Sequence, residues 1–219
     1  MITGVLFDLD GTLLNRDESV RRFIDNQYDR LGSVSSHIPK EVYVKSFLKL
    51  ENHGYVWKDK VYKQLIEYFK ITEISSSELL QDYIVEFRNF CVPFPHLLWM
   101  LQELNERNLR LGMITNGKSE FQMENIRALG IECYFHTILI SEREGIKKPD
   151  PRIFNRALER LGVSASQSVF IGDHPENDVW AAKHVGMKAI WKRHFQWDIV
   201  EADSIIDDLA EIPAKLDEW

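Results

Sequence analysis

The chain has 219 residues, 44% of them hydrophobic and 28% charged, enough for one ordinary domain with a sizeable insertion around a real core. A formal net charge of -7 argues against broad binding to a nucleic-acid backbone, so an anionic substrate has to be held by a few local cations. Cys91 and Cys133 lack metal-ligand spacing, no charged and apolar leader precedes the first strand, and no apolar run approaches membrane-spanning length, so the expectation is a cytoplasmic protein without membrane association.

Gly4-Val5-Leu6-Phe7 reads as a strand buried on both faces. It runs into Asp8-Leu9-Asp10-Gly11-Thr12-Leu13, two carboxylates at i, i+2 followed by a glycine that permits a tight turn. Open α/β sheets bind ligands at the carboxyl edge of their strands, and Asp8 falls there. A calcium loop of the EF-hand type also begins D-x-D-G, but it needs a flanking helix, a longer ladder of oxygen ligands and a distal glutamate. Here Leu13-Leu14 stand where those ligands belong.

From about Asp17 to Phe90 the period turns helical. Val20, Phe23, Ile24 and Leu31 share one face; Val44, Phe47 and Leu48 begin a second. Val61, Leu65, Ile66 and Phe69 form a third, and Leu79, Leu80, Tyr83, Ile84 and Phe87 a fourth. Breaks are expected at Gly32-Ser33-Val34-Ser35-Ser36, at His53-Gly54 and at Ser75-Ser76-Ser77. Four such helices can bury their stripes as a small bundle, so residues 16–91 read as a helical insertion after strand one. Residues 1–15 and 92–219 read as the core.

Pro93-Phe94-Pro95 interrupts the helices, and the chain then alternates. A helix near His96–Arg107 precedes the strand Leu111–Ile114, which ends in Thr115-Asn116-Gly117. Ser119 and Gln122 have capping-box spacing for the helix that stops at Gly130. The strand Thr137–Ile140 leads to Lys147-Lys148-Pro149. Asp150 as N-cap and Pro151 at the first position start a helix ended by Gly162. The strand Val169–Gly172 runs into Asp173; Asp178 opens a helix to Gly186; Lys188–Trp191 is a further strand and Ser204–Ile206 an edge. This is the pattern of an α/β protein with a doubly wound, mainly parallel, Rossmann-like sheet.

Asp8 and Asp10, Thr115 and Asn116, Lys148, and Asp173 and Asp178 each sit just beyond a strand, so a parallel sheet gathers them at one crevice. Singly, each has a plain structural reading: a turn, a solvated lysine, an acid favoured by a helix dipole. In this order at four strand ends they resemble the haloacid dehalogenase superfamily, with its D-x-D-G-T, hydroxyl, K-P and G-D-x(4)-D pattern and small helical cap. Adjacency to Pro149 selects Lys148 over Lys147.

The resemblance implies a phosphohydrolase that cleaves a small phosphorylated metabolite with Mg²⁺. Asp8 would attack phosphorus and form an aspartyl-phosphate; Asp10 would protonate the leaving oxygen and then activate water. The metal candidates are Asp8, Asp10 through its backbone carbonyl, Asp173 and Asp178, the last supporting either the metal shell or Lys148. Thr115, the Asn116 amide and Lys148 would hold phosphoryl oxygens, and Thr12 joins them while ordering the first loop. His174 reads as a loop residue. An aspartate at position 10 implies a phosphate ester, since the superfamily's dehalogenases have no alcohol oxygen to protonate there. A phosphosugar mutase, a haloacid dehalogenase, a phosphoacceptor signalling domain and a catalytically silent binding protein are the alternatives. The substrate, the cap residues that select it and the oligomeric state are left open by the sequence.

Overall fold

Strand β1, Gly4–Phe7, is buried along its whole length, as a strand apolar on both faces must be. In the computed structural model, which describes residues 1–32, 37–198 and 200–219, the chain next forms α1 (Arg16–Leu31), α2 (Lys40–Glu51), α3 (Lys58–Phe69) and α4 (Ser76–Glu86). It continues through α5 (Leu97–Glu106), β2 (Arg110–Thr115), α6 (Ser119–Ala128), β3 (Thr137–Ile140), α7 (Ser141–Glu144) and α8 (Pro151–Leu161). Then follow β4 (Ser168–Gly172), a π-helical segment Pro175–Trp180, α9 (Ala181–His184), β5 (Lys188–Lys192), β6 (Ser204–Ile206) and α10 (Ile212–Leu216).

The six strands lie in the order β3-β2-β1-β4-β5-β6, and every pairing is parallel. The sheet is the expected doubly wound α/β type, with β6 at its edge. Phe7 is level with Met113 on one side and Ile171 on the other, so chain order reverses at β1. That reversal opens the crevice at the carboxyl end of β1. Helix α8 buries Ile153, Phe154, Ala157, Leu158 and Leu161 against a core that includes Leu6, Ile114, Phe170 and Trp191. Its ends are the expected ones: the Asp150 carboxylate accepts from Arg152 N, Pro151 follows, and Gly162 closes the helix in the left-handed region.

Contacts divide the chain into two compact units, Met1–Asn15 with Pro93–Trp219, and Arg16–Val92. In the first, the chain ends flanking the second are already joined, because Phe94 N donates to Leu13 O at 3.0 Å and Leu14 bridges Pro93. In the second, four helices pack around Phe23, Phe47, Tyr62 and Tyr83, with Phe23 edge-on to Tyr83 at 5.0 Å. Glu51 is buried there between Arg16 Nη2 at 2.6 Å and Lys58 Nζ at 2.9 Å.

Several local expectations change. The buried face of α2 is Tyr43, Phe47 and Glu51, and Val44 and Leu48 are only half-buried, because the third buried residue is an ion-paired glutamate invisible to an apolar pattern. Ile84 on α4 is exposed. The expected break at 32–36 lies, beyond Gly32, outside the described residues. Ser119 does not cap α6: Lys118 is the N-cap, and Ser119 N is taken by Glu142 Oε2 at 2.8 Å. The helical segment after β4 begins at Pro175, capped by His174, whose ring nitrogen accepts from Glu176 N and Asn177 N; Asp178 lies inside it.

Candidate active site

The backbone of Asp8 continues β1, its N–H donating to Ile171 O at 2.9 Å, and its side chain is buried at the strand end. The chain then turns tightly over Leu9 O, which accepts from Thr12, Leu13 and Leu14. Gly11 sits at φ +86, and a methyl there would overlap the Asp173 carboxylate, so two loops meet with no room for a side chain. Thr12 is wholly buried and its hydroxyl donates to Asp8 Oδ2 at 3.2 Å, which fixes the carboxylate's rotation.

Lys148 is the other half of this arrangement. Only 3% exposed, it places Nζ 2.6 Å from Asp8 Oδ1 and 2.6 Å from Asp178 Oδ1. Asn116, at the end of β2, holds the lysine's backbone in both directions: Nδ2 donates to Lys148 O at 3.0 Å and Oδ1 accepts from Lys148 N at 2.9 Å. Asp178, 1% exposed, spends its second oxygen on His174 N at 3.0 Å. Asp173 is steadied through its carbonyl, which accepts from Trp191 Nε1 at 2.8 Å.

Three carboxylates therefore face one ammonium in a poorly hydrated crevice. Burial pushes Asp8 up to about 6, Lys148 pulling the other way and Asp178 adding to the rise. Asp173 is pushed well above the usual carboxylate range, again by burial and then by Asp8 and Asp178. Burial works to discharge Lys148, but Asp178 and Asp8 outweigh it and hold the ammonium firmly charged. The excess negative charge asks for a cation. Oxygens of Asp8, Asp173 and Asp178 lie within 4.8 Å of one another, an all-oxygen set that fits a hard divalent ion. Asp178 has both oxygens engaged, by Lys148 Nζ and by His174 N, and Asp8 has both engaged as well, by Lys148 Nζ and by the Thr12 hydroxyl.

The sequence-derived candidates fall into two groups, with Asn116 tied to the first through the Lys148 backbone. Asp8, Thr12, Lys148, Asp173 and Asp178 meet directly. Asp10 and Thr115 are joined through a residue given a different task by its spacing: Gln122 Nε2 donates to Asp10 Oδ2 and to Thr115 Oγ1, each at 2.7 Å. Its position one turn into the helix after the Thr115-Asn116-Gly117 strand end was the available signal, and capping-box spacing concealed it.

Residues 5–192 match the family model of haloacid dehalogenase-like hydrolases. The chain belongs to this family. The glyceraldehyde 3-phosphate phosphatase of Methanocaldococcus jannaschii is 32% identical over 203 residues, 85% of this chain and 83% of that protein. A HAD phosphatase from Thermococcus onnurineus superposes with a TM-score of 0.70 at 28% identity over 98% of each chain. A 2-haloacid dehalogenase from Pseudomonas syringae pv. Tomato DC3000 superposes at 0.64, also 28% identical, over 100% of both. This haloacid dehalogenase-like hydrolase is of the phosphatase kind. No helix among the described residues is long and apolar enough to cross a membrane.

Proposed function

We propose that this hydrolase cleaves a small phosphomonoester with Mg²⁺ through an aspartyl-phosphate at Asp8. The observation that carries the reading is the Asp8 carboxylate at the sheet's switch point, aimed by Thr12 and Lys148, with a second carboxylate, Asp10, two residues on. Asp8 attacks phosphorus; the bond from phosphorus to the ester oxygen breaks as Asp10 delivers its proton to that oxygen. Asp10, now ionised, takes a proton from water as it attacks the acyl phosphate, which releases inorganic phosphate and restores Asp8. Lys148 neutralises charge beside the nucleophile, Asp178 holds Lys148, and the Thr115 hydroxyl and Asn116 backbone amide serve as donors to phosphoryl oxygens. Asp8, Asp173 and the Asp10 carbonyl would hold Mg²⁺, with Asp178 behind them; when bound it screens the phosphoryl charge from the carboxylates.

The likeness to a 2-haloacid dehalogenase raises a second reading. Asp10 weighs against it, because displacement of a halide leaves no oxygen to protonate. Relatives named for glyceraldehyde 3-phosphate make triose phosphates the first substrates to try. The test is phosphate release from a panel of sugar phosphates, triose phosphates, phosphoamino acids and nucleotides, with Mg²⁺ or chelator, alongside halide release from 2-haloacids. Mg²⁺-dependent phosphate release that Asp8→Asn abolishes is expected; halide release without phosphate release would overturn the reading. In a further arm, the helical unit 16–92, read as a cap that selects the substrate, is exchanged for its counterpart from the Methanocaldococcus jannaschii relative. The substrate ranking should move while Mg²⁺ dependence stays; an unmoved ranking would place selection in the core.

A further inference from the structure

The side-chain amide of Gln122 lies between the proposed acid–base Asp10 and the phosphate-facing Thr115, and it is only 2% exposed. Its orientation is determined by its neighbours. An ionised carboxylate only accepts, so Nε2 faces Asp10. At the other end Asn125 Nδ2, itself buried, donates to Gln122 Oε1 at 3.3 Å. Room for the side chain comes from Gly117 at φ +155, where a methyl would stand 2.8 Å from Gln122 Cγ. The two N–H bonds of this amide therefore go to Asp10 Oδ2 and Thr115 Oγ1, and a weaker contact at 3.4 Å reaches Asn116 O.

A hydroxyl has one proton to give and lone pairs to receive. When Thr115 Oγ1 receives from Gln122, its own proton is left for an acceptor elsewhere, and an arriving phosphoryl oxygen is one. When Asp10 Oδ2 receives from Gln122 it is the accepting oxygen, so a proton carried by this carboxyl belongs on Oδ1. We infer that Gln122 is a positioning residue that sets donor and acceptor polarity at Asp10 and Thr115 together, so that both present a proton to the phosphoester. The inference rests on the aspartyl-phosphate reading above.

Two substitutions separate polarity from packing. Gln122→Met keeps the length and removes both donors. Gln122→Glu keeps the shape and turns both donors into acceptors, which sets Asp10 against a second carboxylate and draws the Thr115 proton away from the substrate. Steady-state kinetics with Mg²⁺ are measured for both variants, wild type and Asp10→Asn, on p-nitrophenyl phosphate and on an alkyl phosphate, with thermal melting as the check of fold. Gln122→Met is expected to lose on the order of 10²-fold in kcat on the alkyl phosphate, the usual scale for a misplaced catalytic group. Its loss on p-nitrophenyl phosphate, whose leaving group needs little protonation, should be about ten times smaller. Gln122→Glu should lose more than Gln122→Met and should raise KM. If Gln122→Glu unfolds, the substrate dependence of Gln122→Met decides alone. Equal losses on both substrates, or Gln122→Glu more active than Gln122→Met, would mean that Gln122 only fills space. If wild type releases no phosphate, or Asp10→Asn shows no substrate dependence, it is the aspartyl-phosphate reading that fails.

Discussion

At the scale of the residue, the site is dominated by a charge imbalance that folding alone leaves in place. Asp173 shows it best, because its burial, Asp8 and Asp178 all disfavour the ionised form. A carboxylate whose folded pKa lies above its unfolded value weakens the fold once pH rises past the unfolded value, so Asp173 is kept at a cost to stability. Asp173→Ala is therefore expected to raise half-saturating Mg²⁺ by at least about 10²-fold or to abolish turnover. In chelator at neutral pH the same variant should melt no lower than wild type. Unchanged Mg²⁺ dependence in a metal titration would remove Asp173 from the metal site. Asp8 and Asp173 were legible from sequence because each follows an apolar strand directly, and Lys148 and Asp178 because the K-P and G-D-x(4)-D spacings single them out. Gln122 and the side chain of Asn116 were not. Gln122 meets a carboxylate 112 positions away, and Asn116 grips a backbone 32 positions on, contacts that exist only once the strands lie side by side.

At the scale of the element, the helical unit shows where apolar periodicity stops being informative. Helix α2 directs Tyr43, Phe47 and Glu51 inward, and the glutamate belongs there only because Arg16 and Lys58 come from two other helices to meet it. Lys58 Nζ also lies over the Tyr83 ring, 5.4 Å from its centroid, and gains from its negative face. Burial raises the Glu51 pKa, but Arg16 and Lys58 outweigh it and hold the carboxyl below its ordinary value. A group with a depressed folded pKa adds stability that is present above the unfolded value, near 4.3, and lost as pH falls through the folded one. Glu51→Gln should thus cost about 3–5 kcal/mol at pH 7 by removing the carboxylate that faces buried Lys58 and half-buried Arg16, the latter keeping Asp17 at 3.9 Å. The difference from wild type should shrink as pH falls below about 4. Thermal or urea unfolding across pH measures this; a difference that persists undiminished at pH 3 would show that Glu51 acts by packing alone. The segment after β4 is a second such case. An acid in a G-D-x(4)-D pattern looks like the start of a helix, yet the His174 ring takes that place, and Asp178 is freed to turn inward to Lys148.

At the scale of the whole molecule, one feature of topology makes the chemistry available. Because chain order reverses at β1, the ends of β1, β2 and β4 are neighbours, and residues 8, 115 and 173 arrive together without any contact between them having to be built locally. The insertion leaves after Asn15 and returns at Pro93, between chain ends that the core already ties by Leu13 and Phe94, so its presence leaves the register of β1 untouched. The doubly wound, mainly parallel sheet followed from the alternation of apolar runs and turns, since each strand is short, apolar and bounded. The substrate did not, since the similar proteins include both phosphatases and a dehalogenase on one architecture. The proposed reaction differs from dehalogenation in forming a covalent bond from Asp8 to phosphorus. Asp10→Asn keeps the shape of the acid–base but cannot transfer its proton, so water attack should slow by roughly two to four powers of ten while p-nitrophenyl phosphate still loads the nucleophile. The decisive measurement is mass spectrometry of this variant, acid-quenched during turnover of p-nitrophenyl phosphate with Mg²⁺ and digested to peptides. A phosphoryl adduct confined to Asp8 is the predicted result; release of p-nitrophenol with no adduct at Asp8, or with the adduct on another residue, would contradict the account.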